Sequence, residues 1–172
     1  MAVAPINLAD GLKADRKLEI HYVNVADSGT AEWEVLGRGV EDASMAFNHD
    51  TNQTTDVLGI TDTDVSPAKP QLDLDPNNIR GGNKLSAKLL DIERRNAIAE
   101  LGTFEILNVH CYLSENAAGP FMAELHKNCT IVPQSLGGSS YVGLPLNVHL
   151  SNDKTLGTVT ISNKVPTFTA DD

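Results

Sequence analysis

The fold of this chain is decided by residues 83–113, which read NKLSAKLLDIERRNAIAELGTFEILNVHCYL. Asn83 is a favourable N-cap, strong helix formers follow it, and Gly102 is a typical C-terminal stop, so we predict one helix over about residues 83–101. Residues 104–113 then alternate apolar and polar side chains, which predicts a strand. A helix followed at once by a half-buried strand indicates packing of the helix on a sheet.

The predicted helix is amphipathic. Leu85, Leu89 and Ile92 recur at helical spacing and form one apolar face, and most charged residues fall on the remaining arc. Further β-rich or alternating segments predict strands near residues 18–22, 32–36, 44–48, 55–60, 121–125, 128–132, 144–150 and 157–162. About eight strands and one helix predict a mainly β protein, a β-sandwich or barrel-like fold with the helix packed on the sheet.

Length and composition set the limits of this fold. With 172 residues and 41% hydrophobic content, we expect a single domain over residues 1–172. Residues 62–82 contain Pro67, Pro70 and Pro76 among polar side chains, and they are predicted to form a long loop. The ends of the chain, about residues 1–10 and 163–172, are predicted to be flexible.

The charge and the N-terminus exclude several classes of function. The formal net charge is −10, and no Lys/Arg stripe is present, which argues against gripping duplex DNA through its phosphates. The N-terminal residues lack a signal peptide pattern and no stretch is apolar enough to span a membrane, so we expect synthesis in the cytoplasm. Cys111 and Cys129 are then expected to be small reduced core residues rather than a disulfide.

No pattern typical of an active site or a metal site is found in the sequence. The five histidines do not show helical metal-ligand spacing. Asp73 opens a segment like a calcium loop, but Asn78 and Lys84 stand where that loop needs glycine and glutamate. Glu41 and Asp42 are adjacent, and neighbours on a strand would point to opposite faces. We therefore expect no enzyme, no cofactor and no metal.

The acidic residues are concentrated in one region. Between residues 32 and 75 there are ten carboxylates and only two cations, a local net charge of −8. Residues 80–95 show the opposite bias, with five cations against two carboxylates. Net charge and its placement inform about partners rather than about fold.

Four segments of the sequence resemble a known protein family. They are residues 38–42, residues 62–82 leading into the helix, residues 127–138 and residues 151–157. In their order around the single helix, they resemble the major tail protein of long-tailed, non-contractile phages and related prophages, the subunit of the tail tube. The resemblance covers about residues 15–162.

The resemblance implies a structural virion protein. Such a subunit assembles with itself into hexameric rings that stack head to tail as a hollow tube, meets tape measure and tail terminator proteins, and lets DNA pass through the lumen during ejection. It would be made in the cytoplasm of a bacterial host, without a membrane partner. Two alternatives remain: an inner-tube subunit of a contractile tail or secretion-system-like tube, and a carbohydrate-binding β-sandwich module, for which few aromatic residues are present.

Under this interpretation the two charged regions gain roles. A negatively charged lumen wall would let DNA slide without binding, because binding of DNA depends on cations that neutralise its phosphates. The candidate lumen-lining acids are Glu41, Asp42, Asp50, Asp56, Asp62 and Asp64. The candidate inter-subunit contacts are Arg80, Lys84, Lys88, Arg94 and Arg95, with a solvated helix face as the alternative. Residues 62–82 and the predicted turn at 49–54 are expected to order when rings stack.

Overall fold

The computed structural model describes residues 4–171, and within them the chain is mainly β with one α-helix. Short 3-10 turns cover Arg16–Leu18 and Ile98–Gly102. No helix in this range is both long and apolar enough to cross a membrane. The elements are β1 Glu19–Asn24, β2 Trp33–Val35, β3 Met45–Ala46, β4 Thr51–Thr55, β5 Thr61–Val65, β6 Gln71–Leu74, α1 Lys84–Arg95, β7 Phe104–His110, β8 Phe121–Pro133, β9 Leu146–His149, β10 Lys154–Ser162 and β11 Val165–Ala170.

Nine of these strands form one antiparallel sheet, curled into a half-barrel. Its main path runs β2-β1-β7-β8-β9-β6-β3, and the hairpin β10–β11 joins it beside β8. The remaining strands, β4 and β5, form a separate two-stranded sheet. This architecture confirms the predicted mainly β, barrel-like class with a flanking helix.

Strand β8 holds the two halves of the large sheet together. Its first half, from Phe121 to His126, pairs with β10, and its last four residues pair with β9 along the same edge. Asn128 lies between the two halves with a φ of 55°, a conformation that asparagine tolerates better than most residues. The two strands predicted near 121–125 and 128–132 are therefore one continuous strand.

Two hydrophobic cores lie on opposite faces of the central strands. Val23 of β1 and Ile106 of β7 belong to the larger core, which also contains the apolar face of α1. Their neighbours Tyr22 and Leu107 belong to the smaller core, with Val109 and residues of β8 and β10. Because side chains alternate along a strand, one pair of strands serves both cores. The apolar face predicted for the helix is confirmed, since Leu85, Leu89 and Ile92 are buried.

The helix ends earlier than predicted. Asn83 is the N-cap as expected, and its side chain accepts a hydrogen bond of 2.6 Å from the Ser86 backbone N–H. At the other end Asn96 adopts a left-handed conformation, with a φ of 54°, and closes the helix after Arg95. The chain continues as a 3-10 turn over Ile98–Gly102, so the predicted extension to residue 101 was wrong.

The predicted loop over residues 62–82 was also wrong. Its first residues belong to β5, and Gln71–Leu74 form β6 inside the large sheet. The segment predicted as a strand near 55–60 is instead a turn, and most of the turn predicted at 49–54 is strand β4. Proline residues mark the connections on either side of β6 and do not interrupt it, in keeping with the missing N–H of proline.

Both predicted flexible ends carry ordered contacts where the structure describes them. The C-terminal segment forms β11, which pairs with β10 from Ser162↔Val165 to Gly157↔Ala170. Near the other end Ile6 forms a bridge with Leu113, and the Asn7 N–H donates to the Tyr112 carbonyl at 3.0 Å. The prediction of flexible termini is therefore corrected for residues 6–7 and 165–170, and residues 1–3 and 172 lie outside the described range.

Candidate functional site

The two-stranded sheet β4–β5 forms a projecting arm, defined here as residues 51–65. Its strands pair in register from Thr51↔Val65 to Thr55↔Thr61, and every strand residue is exposed. Side-chain hydrogen bonds link the strands, including Thr55 to Thr61 at 3.0 Å and Gln53 to Thr63 at 3.3 Å. An isolated two-stranded hairpin is marginally stable in water. The arm therefore has an ordered backbone but almost no burial of its own.

The tip of the arm is closed by Asp56 and presents apolar side chains. The Asp56 carboxylate accepts hydrogen bonds from the backbone N–H groups of Leu58, at 2.8 Å, and Ile60, at 2.9 Å. Gly59 takes a φ of 81°, which this tight turn requires. Val57 is fully exposed, Leu58 is 80% exposed and Ile60 is 56% exposed. A turn fixed in this way holds three apolar residues in solvent.

The two chain segments that join the arm to the body are fastened to each other. We define the body as the nine-stranded sheet with its helix. Asp50 forms an ion pair with Lys69. The hydrogen bond that Lys69 donates in this pair lowers the pKa of the Asp50 carboxyl. The Asp50 N–H donates to the Ser66 hydroxyl at 2.9 Å, and His49 Nδ1 lies 2.9 Å from the Ser66 carbonyl oxygen. These contacts, with the hydrogen bond from the Ser66 N–H to the Asp50 carbonyl at 2.8 Å, continue the pairing of the two segments below the arm.

The six predicted lumen-lining acids lie in two separate segments of the chain. Four of them belong to the arm and its base: Asp50, Asp56, Asp62 and Asp64. Asp62 and Asp64 share one face of the hairpin because they are two residues apart on β5.

Glu41 and Asp42 are the other two, and both are exposed in the connection between β2 and β3. They are not on a strand, which corrects the predicted strand geometry of this pair. The Asp42 carboxylate accepts a hydrogen bond of 2.7 Å from the Ser44 hydroxyl. The pair therefore lies on the body, apart from the arm in the chain.

Most of the five predicted contact cations are already paired inside the chain. Lys84 pairs with Glu32, Lys88 with Asp27 at 3.0 Å, Arg94 with Asp91 at 2.8 Å, and Arg95 with both Asp91 and Glu100. The hydrogen bonds that Arg95 donates to the Glu100 carboxylate are the main cause that raises the pKa of Arg95 above its usual range. Exposed pairs of this kind stabilise a protein by only about 0–1 kcal/mol. Arg80 is the member of the set that forms no ion pair within residues 4–171.

Arg80 lies at the rim of a cleft beside the outer strand β2. The cleft has a volume of about 640 Å³, within the range of ligand-sized clefts. Its lining includes the buried Leu36, Leu74, Leu85 and Leu146, and the partly exposed Trp33 and Val35. Sequence reasoning missed this cleft because its residues come from positions 25 to 164, and no local pattern connects them.

The charged lining of the cleft is dominated by cations without partners. Arg38, Arg80 and Lys164 line it and form no ion pair among the described residues. The carboxylates of the cleft already have partners within the chain. Glu32 pairs with Lys84, and the Glu34 carboxylate accepts the N–H groups of Lys84 at 3.0 Å and Leu85 at 3.1 Å. That contact satisfies donors at the start of α1.

The Arg80 guanidinium is held beside the turn that carries Arg38. A Cβ atom built on Gly39 would lie 2.5 Å from an Arg80 guanidinium nitrogen, and Gly39 has a φ of 85°. A side chain at position 39 would therefore meet both backbone strain and a steric clash. The absence of a side chain at Gly39 therefore leaves room for the Arg80 guanidinium beside this turn.

A row of polar side chains crosses the central strands of the body. His110 Nδ1 lies 2.8 Å from a Glu19 carboxylate oxygen; burial alone would lower the pKa of His110, but this hydrogen bond raises it overall. His21 Nδ1 lies 2.9 Å from the Asn108 side-chain oxygen, and burial lowers the pKa of His21. Burial, aided by the hydrogen bond that the Tyr112 hydroxyl donates to Glu19, raises the pKa of Tyr112 to about 12. These contacts tie neighbouring strands together.

Within residues 4–171 no three His, Cys, Asp or Glu side chains are arranged to hold a metal ion. Cys111 and Cys129 are both buried free thiols, as predicted, and burial raises the pKa of each. The reduced state of both thiols fits their role as small core residues.

Comparisons with known proteins give a likeness of fold. No family model and no curated protein sequence matches this chain. A chain from the sheath-tube complex of an extracellular contractile injection system, PVC, in the extended state shares the fold with a TM-score of 0.50 and 14% identity, over 88% of this chain and 95% of that chain. The likeness establishes the fold alone.

Two further solved structures are similar. The tube terminating cap of the anti-feeding prophage has a TM-score of 0.49 and 16% identity, over 88% of this chain and 95% of that chain. The sheath/tube terminator of the PVC injection system has a TM-score of 0.49 and 13% identity, over 86% of this chain and 99% of that chain.

Proposed function

We propose that this chain is a non-enzymatic structural subunit of a tail-type tube, and that it assembles with copies of itself into hexameric rings stacked as a hollow conduit. The observation that carries the proposal is the projecting arm, whose apolar tip is largely exposed within the described chain. An ordered arm with an exposed apolar tip is suited to contact a second molecule. The fold shared with a chain of a sheath-tube complex supports the same class of assembly.

The open edges of the half-barrel support self-association as well. Strands β2 and β3 are the two ends of the main path of the sheet, so each has one edge that is unpaired within the described chain. Exposed edges are sites at which another strand can add. Joining edges around a ring would cover them, and a head-to-tail contact between rings would extend the assembly into a tube.

The proposal includes partners and a place of action. The tube would be part of a virion or a related particle, would be made in the host cytoplasm, and would meet a tape measure protein inside and a terminator at its end. DNA would pass through the lumen without being bound. A second candidate is the tube subunit of a contractile particle, which is favoured by the likeness to a chain of a contractile system.

We assign the lumen-lining role to Glu41 and Asp42, the acids on the body. Asp50 is already paired with Lys69, and the other acids lie on the arm. Carboxylates on the lumen wall would repel phosphates within about 8–10 Å at physiological salt.

Electron microscopy of the purified chain tests the proposed function. We expect rings or open tubes with a central hole in negative stain as the protein concentration rises. A chain that stays monomeric at all concentrations up to the millimolar range would contradict the proposal. In particles isolated from a host, a bare tube supports the non-contractile class and a tube inside a sheath supports the second candidate.

Co-sedimentation with DNA tests the lumen assignment. The double variant Glu41→Lys, Asp42→Lys should still assemble but should retain DNA at low salt, and high salt should release it. The matched control is Asp10→Lys, Glu115→Lys, which makes the same charge change at exposed positions elsewhere. Equal DNA retention by both variants would show that Glu41 and Asp42 do not line the lumen.

A further inference from the structure

We infer that the tip of the arm of one copy docks in the cation-rimmed cleft of a second copy. This inference rests on the proposed function, because it names the contact through which copies of the chain meet. The occupant of the cleft is thus another molecule of the same chain, and the inserted segment is the turn at residues 56–60 with the acidic face of β5.

The arm supplies an apolar end with negative charge around it. Val57, Leu58 and Ile60 are exposed at the tip, while Asp56 and Asp62 flank them in sequence. No lysine or arginine occurs between residues 51 and 65. The arm therefore offers one kind of surface, an apolar knob with acids beside it.

The cleft supplies the complementary surface. Its lining includes leucine side chains and the partly exposed Trp33 and Val35 of β2, so it can receive apolar groups. Val35 is itself 43% exposed, which leaves apolar area on an outer strand uncovered. Removing such area from water on both partners is the main driving force for association.

Charge complementarity sets the orientation of the contact. Arg38, Arg80 and Lys164 at the cleft carry three positive charges without partners in the described chain. Asp56, Asp62 and Asp64 carry three negative charges on the arm. Opposite charges across an interface favour the correct partner and register.

The contact must be made between two molecules. The described lining of the cleft contains no residue of the arm, so the arm of the same copy does not occupy it. An arm that reaches a different surface on its neighbour produces a head-to-tail contact, which repeats along an axis. The same geometry thus explains both the exposed tip and the open cleft.

Cross-linking between two cysteine variants tests the docking directly. Leu58→Cys on one tagged chain, mixed with Val35→Cys on another, should yield a covalent heterodimer under mild oxidation. The control mixes Leu58→Cys with Glu115→Cys, an exposed position outside the cleft lining, and should yield at least tenfold less product. Equal yields in both mixtures would overturn the inference.

Charge exchange provides an independent readout. Arg38→Glu with Arg80→Glu should raise the critical concentration for assembly at least tenfold, and so should Asp62→Arg with Asp64→Arg. Combining the four substitutions in one chain should bring the critical concentration back to within about threefold of the original value. Additive loss in the combined variant would overturn the pairing. Circular dichroism and urea unfolding of each variant check that the body remains folded.

The outcomes separate this inference from the proposed function. Tubes that form without the Leu58–Val35 cross-link, and without rescue by charge exchange, overturn the docking site while the tube function stands. A cross-linked pair from a chain that never forms rings or tubes supports the docking and contradicts the tube. A cleft that instead binds a small molecule, with no effect of arm substitutions, overturns the docking.

Discussion

The body and the arm reach an ordered structure by different means. The body buries leucine, isoleucine and valine side chains in two cores, and several central residues such as Leu89, Leu107 and Ile131 are fully buried. The arm buries almost nothing and is ordered by its ladder of backbone hydrogen bonds and by the Asp56 turn. The contrast shows that one part of the chain is stable through its own burial, while the other has apolar surface left for a partner.

Truncating one leucine in each region gives the largest expected difference. Leu89→Ala in the larger core should lower the free energy of unfolding by about 3 kcal/mol, because it removes buried methyl groups and leaves a cavity. Leu58→Ala at the arm tip should change it by less than about 0.5 kcal/mol, since that side chain is exposed. Urea unfolding of the monomer measures both values. Similar losses for the two variants would erase the distinction between body and arm.

Acid should destabilise the body through Glu124. A hydrogen bond from His126, aided by Lys154, lowers the pKa of Glu124 to about 2. A carboxyl group with a lowered folded-state pKa stabilises the fold above its unfolded pKa of about 4.3, and this contribution disappears as the pH falls from there towards 2.

Glu124 is only partly buried, so solvent screening reduces the effect, and losing its carboxylate should cost on the order of 1–2 kcal/mol at pH 7. We therefore expect Glu124→Gln to be less stable than the original chain at pH 7 and to lose less stability between pH 5 and pH 2. Urea unfolding at several pH values measures this effect. Glu115→Gln, an exposed change, is the matched control, and identical pH profiles for all three chains would contradict the role of Glu124.

The smallest effect is expected at the arm tip. Asp56→Ala removes the acceptor of the Leu58 and Ile60 N–H groups, a local loss of about 1 kcal/mol, which corresponds to about fivefold faster exchange of those two amides. The midpoint of global unfolding should stay the same. Asp56→Asn keeps an acceptor oxygen and should exchange nearly as slowly as the original. Unchanged exchange in the alanine variant would show that the turn does not depend on this carboxylate.

The sequence predicted the body better than the arm for a physical reason. Periodicity reports burial, and α1 and β7 are buried elements whose apolar spacing is visible in the residues themselves. The strands of the arm are exposed on both faces, so threonine, aspartate and asparagine replace the apolar alternation and resemble a loop. The C-terminal strand β11 was missed because only Pro166 is buried in it.

The candidate site was predictable in its charges but not in its assembly. The excess of acids near residues 50–64 and the cation Arg80 were visible in the sequence. The cleft was not, because it joins Trp33, Leu74 and Lys164 across the fold. The left-handed Asn96, which ends the helix early, was likewise hidden among good helix formers.

The continuity of β8 through the left-handed residue Asn128 has a mechanical consequence. Strand β8 pairs with β7 along most of its length, with β10 before Asn128 and with β9 after it. Because β8 is one covalent strand, a pull on one half of the sheet is transmitted to the other half through its backbone. The two halves are then expected to yield under force together, in a single rupture event. A sheet built in this way would resist pulling as one element.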